Sequence, residues 1–583
     1  MSDRDELVLG ISDSHDAGVA LVRGDQILAA LNEERLSRKK MAAGYPVRCL
    51  EELWRIARAR PDEVDRVAVA GNASLGTPPI NNDFTDETGR ASAAQRIAEL
   101  VDRLPASGRV LSSPATASLY RGLMRPAVTG RLNGIARRLR DIGIRARVTA
   151  YNHHDCHVAA AYFTSGEPEC LVVSNDGFGD GECSRVVVGR EGRLELLSRN
   201  SFFNSLGVYY NYATQICGFP RSHHAGKTTG LAAFGDPGKT LSVFQSLLTW
   251  ETTRGIYVNQ GKLFRNCLRE LQDKLESAAR EDVAAGIQKH CEDVLTEMVR
   301  HYVVRTGRRR VALTGGVHAN VKVNQRIAEI PEVASVFVFP NMGDGGLALG
   351  AAFLAMAESG ARTPIKLDDV YLGSGFSEAD IESHLRASGV PFSRPPDLAP
   401  TLARHLQQNR IVARFDGRME YGPRALGNRS ILYPATKPEV NLWLNRQLRR
   451  TEFMPFAPVI RAADAAAFFR GFDTRTAYTA EFMTITYDVT ARCRQEAPAI
   501  VHVDGTARPQ VLRRVVNPGY YNILEEYHRQ TGLSVLVNTS FNMHEEPIVC
   551  SPIDAVKAFY ESELDVLAIG PFLVENSSVW RRR

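Results

Sequence analysis

Residues Leu171–Leu197 read LVVSNDGFGDGECSRVVVGREGRLELL. The run predicts a strand, an Asp/Gly turn holding Asp176, a second strand (SRVVVG), a tight turn and a third strand (LELL). Glycine and aspartate suit such turns because they tolerate positive φ and bond their own backbone. Residues Leu7–Leu31, LVLGISDSHDAGVALVRGDQILAAL, repeat the plan, with His15 in the first turn. The likeness is faint residue by residue, yet it predicts a duplicated β-meander with an acidic residue in each first turn.

Two further segments extend this. Val311–Ile327, VALTGGVHANVKVNQRI, predicts a short strand, a Gly315-Gly316 turn and a helix starting near His318. Val336–Met356, VFVFPNMGDGGLALGAAFLAM, predicts a strand, a Gly- and Asp-rich loop and a small-residue helix. A strand entering a helix through a glycine loop offers N–H groups and a helix dipole to anions. These parts predict an α/β chain whose N-terminal domain has the actin/sugar-kinase fold, two ribonuclease-H-like halves around a nucleotide cleft. A Pro-containing stretch runs from Thr363 to about Pro400, after which Leu402–Phe415 predicts a helix and a strand. The expected organisation is a first domain over 1–365, a linker over 366–400 and a second α/β domain over 401–583.

Length and composition set the frame. A chain of 583 residues exceeds one ordinary core. An apolar fraction of 44% and a charged fraction of 23% are those of a globular protein. The net charge of +5 is small for this length, suits anionic small molecules and does not call for nucleic acid. The basic run Arg131–Arg147, with Ile135, Leu139 and Ile142 at helical spacing, predicts a surface helix with a solvated basic face. The first residues, MSDRDELVLG, lack the pattern of a signal peptide, and no apolar run approaches the length of a bilayer span. Nine cysteines without a CxxC pair suggest reduced thiols and a cytoplasmic protein.

Four constellations carry chemistry. In Tyr151–His157, YNHHDCH, a helix would place His153 and His157 on one face, a spacing that serves a divalent ion or a polar helix start with incidental histidines. Asp176 and Asp344, in two glycine turns, would complete a His2Asp2 set that suits iron or manganese as well as zinc. Gly226-Lys227-Thr228-Thr229-Gly230-Leu231 fits phosphate contacts and fits an ordinary loop; it is not a Walker sequence. Residues 417–430, GRMEYGPRALGNRS, set Arg418, Arg424 and Arg429 among glycines after a strand, where guanidinium forks match phosphate or carboxylate. Arg449, Arg450, Arg508 and the strand-to-turn run Val537–Asn542, VNTSFN, add to an anion-rich second site.

Taken together, these motifs resemble the nodulation and antibiotic O-carbamoyltransferases, the tobramycin and cephamycin enzymes among them. The likeness runs nearly end to end: GISDSHDAGVALV, EERLSRKK, HHDCH, DGFGDGE, GKTTGLAAFG, LTGGVHANVKVN, PNMGDGGLALGAA, GRMEYGPRALGNRSIL and MPFAPV. It implies an N-terminal domain similar to the threonylcarbamoyladenosine enzymes and a YrdC-like C-terminal domain. The latter would join carbamoyl phosphate and ATP, with Mg2+, into carbamoyladenylate and pyrophosphate; the former would pass the carbamoyl group to a hydroxyl at a divalent metal. His153, His157, Asp176 and Asp344 would hold that metal, iron(II) ahead of manganese(II) or zinc(II), and His15 would be the base on the acceptor hydroxyl. Gly226, Lys227, Gly315, Gly316 and Asn320 would face the nucleotide of the first domain. Arg424 would be catalytic in the second, and with Arg508, Ser540 and one of Arg449 or Arg450 would hold the phosphates and carbamoyl group. Asn428, Ser430, Met483, Asn538 and Asn542 would line that site. Cys156 reads as an idle small residue or a metal-sensitive thiol, and His223-His224 as a plain loop or an acceptor contact.

The resemblance implies a small-molecule hydroxyl acceptor, secondary metabolism such as antibiotic biosynthesis, no nucleic acid or membrane partner, and it allows a homodimer. A hydrogenase-maturation carbamoyltransferase would bring an acylphosphatase domain and CxxC zinc fingers, which the sequence does not show. A threonylcarbamoyl-type tRNA-modifying enzyme would call for a basic stripe. A non-catalytic nucleotide-binding module would need neither the paired histidines nor the arginine-rich motif. Acceptor identity lies in loops that vary freely on one scaffold.

Overall fold

The computed structural model describes residues 5–72, 114–220, 224–262, 264–360, 362–448 and 456–576. The chain forms two compact units, the first of residues 1–27, 43–47 and 59–366, the second of 28–42, 48–58 and 367–583.

The first unit repeats one sheet plan. Strands β1 (Leu7–Ser12), β2 (Gly18–Arg23), β3 (Gln26–Asn32), β4 (Arg66–Ala70) and β5 (Arg147–Tyr151) lie in the order β3-β2-β1-β4-β5. Strand β1 is antiparallel to β2 and parallel to β4, and β4 is parallel to β5. After β6 (Glu169–Gly179), β7 (Glu182–Arg190) and β8 (Arg193–Ser201) comes a hairpin, β9 (Leu248–Glu251) and β10 (Ile256–Asn259). With β11 (Arg310–Thr314) and β12 (Ser335–Val338) the second sheet has the order β12-β11-β6-β7-β8. Here β6 is antiparallel to β7 and parallel to β11, and β11 is parallel to β12. The meander repeat of the sequence is thus a repeated sheet, each meander extended by two parallel strands.

The small-residue helix Leu347–Ala357 ties the unit together. A Cβ on Gly10 would lie 1.9 Å from the Ala348 carbonyl oxygen, and one on Gly350 would lie 1.8 Å from that of Cys156. Hydrogen alone fits at either point, so this helix meets β1 and the helix His153–Thr164 backbone to backbone.

Two local expectations are corrected. The helix expected near His318 is a single 3-10 turn, Gly316–Ala319; the α-helix, Val321–Ala328, starts only after Asn320, whose side chain accepts from the Val323 N–H (3.3 Å). The basic helix, Pro114–Asp141, buries Ile135 and Leu139 but stops before Ile142, which is exposed, while Ile144 takes the buried place. Its Arg131 is not solvated either. It donates Nε–H to Asp13 (3.0 Å to each carboxylate oxygen) and its terminal N–H groups to the carbonyls of Gly71 (2.5 Å) and Ala70 (2.8 Å).

The second unit is a seven-stranded mixed sheet. Its strands are β13 (Val412–Phe415), β14 (Arg429–Pro434), β15 (Ala457–Arg461), β18 (Gln510–Leu512), β19 (Val535–Ser540), β20 (Val566–Ile569) and β21 (Phe572–Glu575), in the order β18-β15-β19-β14-β13-β20-β21. A short pair, β16 (Tyr487–Asp488) and β17 (Thr506–Ala507), stands apart. Helices Leu398–Gln407 and Pro518–Thr531 cover one face through Leu402, Leu406, Ile523 and Leu524. The EERLSRKK segment belongs to this unit: Arg35 donates to the Gly422 carbonyl (2.9 Å), and Arg38 to those of Ile548 (2.6 Å) and Pro547 (2.7 Å).

Candidate functional site

The helix His153–Thr164 begins where the sequence suggests, because Asn152 caps it by accepting from the N–H groups of His154 (2.9 Å) and Asp155 (3.3 Å). His153 and His157 then share a face, with their Nε2 atoms 3.2 Å apart. Asp176 arrives from an irregular stretch of β6, where the register with β7 shifts between Asn175 and Gly179. Its Oδ2 lies 3.1 Å from His153 Nε2 and 3.6 Å from His157 Nε2. Asp344 enters from the turn before the small-residue helix, with Oδ1 3.5 Å from His153 Nε2 and 3.4 Å from His157 Nε2.

These four residues form a candidate metal centre. One donor atom from each lies within 4.8 Å of the other three. Tetrahedral ligands about 2.1 Å from an ion stand roughly 3.4 Å apart. The histidine–carboxylate and histidine–histidine donor separations of 3.1–3.6 Å match that spacing, and two imidazoles with two carboxylates form a donor set of the right chemistry.

Surrounding groups aim the donors. Gly316 N–H donates to Asp176 Oδ1 (3.0 Å), which leaves Oδ2 to the histidines. Asp180 Oδ2 accepts from the N–H groups of His153 (2.7 Å) and Asn72 (2.8 Å). Gly179 lets the turn press on the His153 ring, which a Cβ there would meet at 2.1 Å. His154 Nδ1 pairs with Ser174 Oγ (3.0 Å), and burial, then the neighbouring His153 and His157, push its pKa well below the usual imidazole range.

His15 Nε2 lies 3.1 Å from Asp344 Oδ2, so this carboxylate spans His15 and the histidine pair. Asp344 raises the His15 pKa to about 10 against the opposing effect of burial. For His157, burial pulls downward and the Asp176 and Asp344 carboxylates outweigh it, to about 9. For Asp176, burial pulls upward and the hydrogen bonds from His153 and His157 outweigh it, holding the carboxyl well below its usual range. Cys156 is buried within the same helix but is not among the four donors, and burial keeps its thiol protonated.

The expected nucleotide residues fall into two groups. Gly226 and Lys227 lie on the helix Ala225–Leu231, and Lys227 Nζ sits 5.7 Å from the centre of the Phe219 ring. Thr229 on that helix shares a hydrogen bond with Tyr210 Oη (2.7 Å), which donates to Gln288 (2.8 Å). Gln288 accepts from Asn320 Nδ2 (2.7 Å). Gly315, at φ +89°, and Gly316 stand instead beside Asp176, whose Oδ1 accepts from Gly316 N–H. Tyr210 and Gln288 were not singled out from sequence, since an isolated Tyr or Gln on an apolar helix carries no pattern. Asp180 and Glu420 stand inside motifs that sequence did single out. His223 lies outside the described residues.

In the second unit the loop from Met419 to Asn428 folds around Glu420. Its Oε1 accepts from the N–H groups of Leu426 (2.8 Å), Asn428 (2.8 Å) and Arg429 (3.2 Å). Asn538 Nδ2 donates to the Ala425 carbonyl (3.2 Å), and Gln510 Nε2 to that of Leu426 (2.7 Å). Arg424 stands at the bend, partly exposed, with desolvation lowering its pKa to about 10. Arg508 precedes Gln510 at the start of β18, and Ser540 ends β19. Several expected ligand residues are engaged within the protein. Asn428 is buried, accepts from Arg414 (2.9 Å) and donates to the Arg418 carbonyl (2.8 Å). Ser430 is buried and accepts from Gly427 N–H (3.0 Å), and Asn542 donates to the carbonyls of Met543 (2.8 Å) and Glu546 (3.0 Å). Met483 is buried at φ +57°. Arg449 and Arg450 lie outside the described residues.

Comparison with known proteins completes the picture. The carbamoyltransferase N-terminus family model matches residues 7–353, and the carbamoyltransferase C-terminus model matches 403–576. The chain therefore belongs to the carbamoyltransferase family. It is 29% identical to the nodulation protein NolNO of Sinorhizobium fredii, over 96% of this chain and 79% of that one. It is 33% identical to the nodulation protein NolO of Bradyrhizobium diazoefficiens, over 73% of this chain and 78% of that one. Among solved structures, T. kodakarensis HypF aligns with 60% of this chain and 47% of its own, at 11% identity and a TM-score of 0.33, a likeness too low to define the fold. No helix among the described residues is long and apolar enough to cross a membrane.

Proposed function

We propose that the chain is an O-carbamoyltransferase that works in two half-reactions. In the second unit, read as a YrdC-like domain, carbamoyl phosphate and ATP-Mg2+ give carbamoyladenylate and pyrophosphate. In the first unit, read as an actin/sugar-kinase-like pair of ribonuclease-H-like halves, the carbamoyl group passes to a hydroxyl of a small natural product. The observation that carries this reading is the four-donor centre with His15 bound to the far oxygen of Asp344.

His153, His157, Asp176 and Asp344 would hold a divalent ion, iron(II) in first place, with manganese(II) and zinc(II) as alternatives. A bound ion would supply Lewis-acid charge to a carbamoyl oxygen or to the departing phosphate, and would take up part of the Asp344 charge that faces His15. His15 takes the proton of the acceptor hydroxyl on Nδ1, while its Nε2–H donates to Asp344 Oδ2, which holds the imidazolium that forms. Gly226, Lys227, Gly315, Gly316 and Asn320 face the leaving nucleotide. In the second unit Arg424, Arg508 and Ser540 bind the anionic oxygens of carbamoyl phosphate and ATP, with one of Arg449 or Arg450, while Asn428, Ser430, Met483, Asn538 and Asn542 shape the pocket. A guanidinium matches two phosphoryl oxygens at once, which explains arginine rather than lysine at position 424.

The test is incubation of the metal-loaded protein with ATP, carbamoyl phosphate and a panel of sugar, aminoglycoside, cephem and nucleoside alcohols. Pyrophosphate release that requires carbamoyl phosphate, together with a carbamoylated product by mass spectrometry, is expected. Neither signal under any condition would refute the assignment.

A further inference from the structure

We propose that Glu420 is the positioning residue for Arg424, a role that rests on the anion-binding reading of the second unit. Residues 420–428, EYGPRALGN, contain no regular element, so their backbone groups need partners from elsewhere. The loop is entered from a fixed edge: Met419 N–H donates to the Ser374 carbonyl (2.8 Å), and Tyr421 N–H to that of Val370 (2.7 Å).

Beyond that edge, three N–H groups converge on one oxygen, Glu420 Oε1, from Leu426, Asn428 and Arg429. Glu420 is 4% exposed, so these charge-assisted bonds face little competition from water. The carbonyl side of the same stretch is held as firmly. Leu426 accepts from Tyr371 Oη (2.8 Å) and Gln510, Gly427 accepts from Arg414 (2.7 Å), and Ala425 accepts from Asn538. Gly422 (φ +138°) and Gly427 (φ +118°) permit the reversals, and a Cβ on Gly427 would strike the Tyr520 ring at 2.3 Å.

Arg424 lies midway between Glu420 and Asn428, inside the closed part of this loop. Its neighbours are fixed on both sides, so its guanidinium starts from a determined backbone. Without the Glu420 carboxylate, three buried N–H groups lose their common acceptor, and the carbonyl contacts alone are left to hold the loop. Glu420 thus acts through Arg424 and needs no contact with substrate.

The experiment measures carbamoyl phosphate affinity by calorimetry, and the KM and kcat of carbamoyl-phosphate-dependent pyrophosphate release. It compares the full-length protein with Glu420→Gln, Glu420→Ala, Arg424→Ala and the double variant Glu420→Ala/Arg424→Ala. Glutamine keeps an acceptor oxygen for the three N–H groups, so Glu420→Gln is expected within about fivefold of wild type. Glu420→Ala should weaken binding about 100-fold, as a misplaced binding group does. In the Arg424→Ala background the same change should cost little, because the residue it positions is gone. Should the alanine variant fail to fold, Glu420→Gln and Glu420→Asp carry the test, aspartate being too short to reach the three donors and expected to lose affinity where glutamine keeps it. Equal losses for glutamine and alanine, full additivity in the double variant, or unchanged affinity in Glu420→Ala or Glu420→Asp would overturn the positioning role. No binding of carbamoyl phosphate by wild type would instead sink the proposed function, and this role with it.

Discussion

Gly350→Ala separates two forces that act in opposite directions. Inside a helix, alanine is favoured over glycine by about 1 kcal/mol, so with open space around it this change would stabilise the protein. Here the new methyl would stand 1.8 Å from the Cys156 carbonyl oxygen, whereas ordinary contact begins near 3.4 Å, so the two helices must part by about 1.5 Å. Backbone atoms on both sides leave no flexible side chain to yield, and overpacking of this kind costs about 3 kcal/mol. The contact also lies beside the candidate metal centre. Cys156 stands between His153 and His157, and Gly350 follows Asp344 by six residues, nearly two helical turns. Parting the helices moves Asp344 from donors now 3.4–3.5 Å away, and metal affinity should fall about 10–100-fold. Urea unfolding of the metal-free protein and competition of Mn2+ or Zn2+ binding against a chelator measure the two effects. A variant as stable as wild type that binds the ion equally well would refute the packing argument and the placement of the centre together.

Other expectations follow from the same geometry. Arg131→Ala should cost about 3–5 kcal/mol in urea unfolding, since it leaves the buried Asp13 carboxylate unpaired, and Asp13→Ala/Arg131→Ala should recover part of that loss. Burial lowers the His318 pKa to about 4, against 6.5 when exposed, so the unfolded chain binds the extra proton first. The contribution of this neutral histidine is fully present above pH 6.5 and is lost as pH falls toward 4, by about 3 kcal/mol in all. His318→Gln should flatten that part of the stability–pH curve; an unchanged slope would contradict the assignment. Cys156→Ala should leave metal stoichiometry and affinity unchanged, as measured by elemental analysis and titration, whereas a lost site would make the thiol a ligand.

Much of this arrangement was legible in the sequence because it is written in spacing. The meanders show as apolar runs broken by Asp and Gly, and the His153/His157 pair shows as a four-residue step on one helix face. Asp176 and Asp344 were marked by their glycine turns, which are the points where backbone must pass close to a neighbour. What spacing does not encode is the direction of an isolated polar group. Arg131 reads as part of a basic solvated face, yet the end of β4 and Asp13 draw it inward. Asn428 and Ser430 read as members of a ligand-binding motif, and their bonds to Arg414, Arg418 and Gly427 within the loop closed on Glu420 are not visible in that motif. The end of the basic helix was missed because Ile142 and Ile144 are two residues apart, and only the stop at Asp141 decides which is buried.

The central claim is that two separable half-reactions reside in one chain. Pyrophosphate release from ATP, dependent on carbamoyl phosphate, should be measured beside carbamoyl transfer for wild type, Arg424→Ala and His153→Ala. The expected result is loss of both signals in Arg424→Ala, and loss of transfer alone in His153→Ala, which should still release pyrophosphate. Equal loss of both signals in the two variants, or full transfer by His153→Ala, would contradict the account.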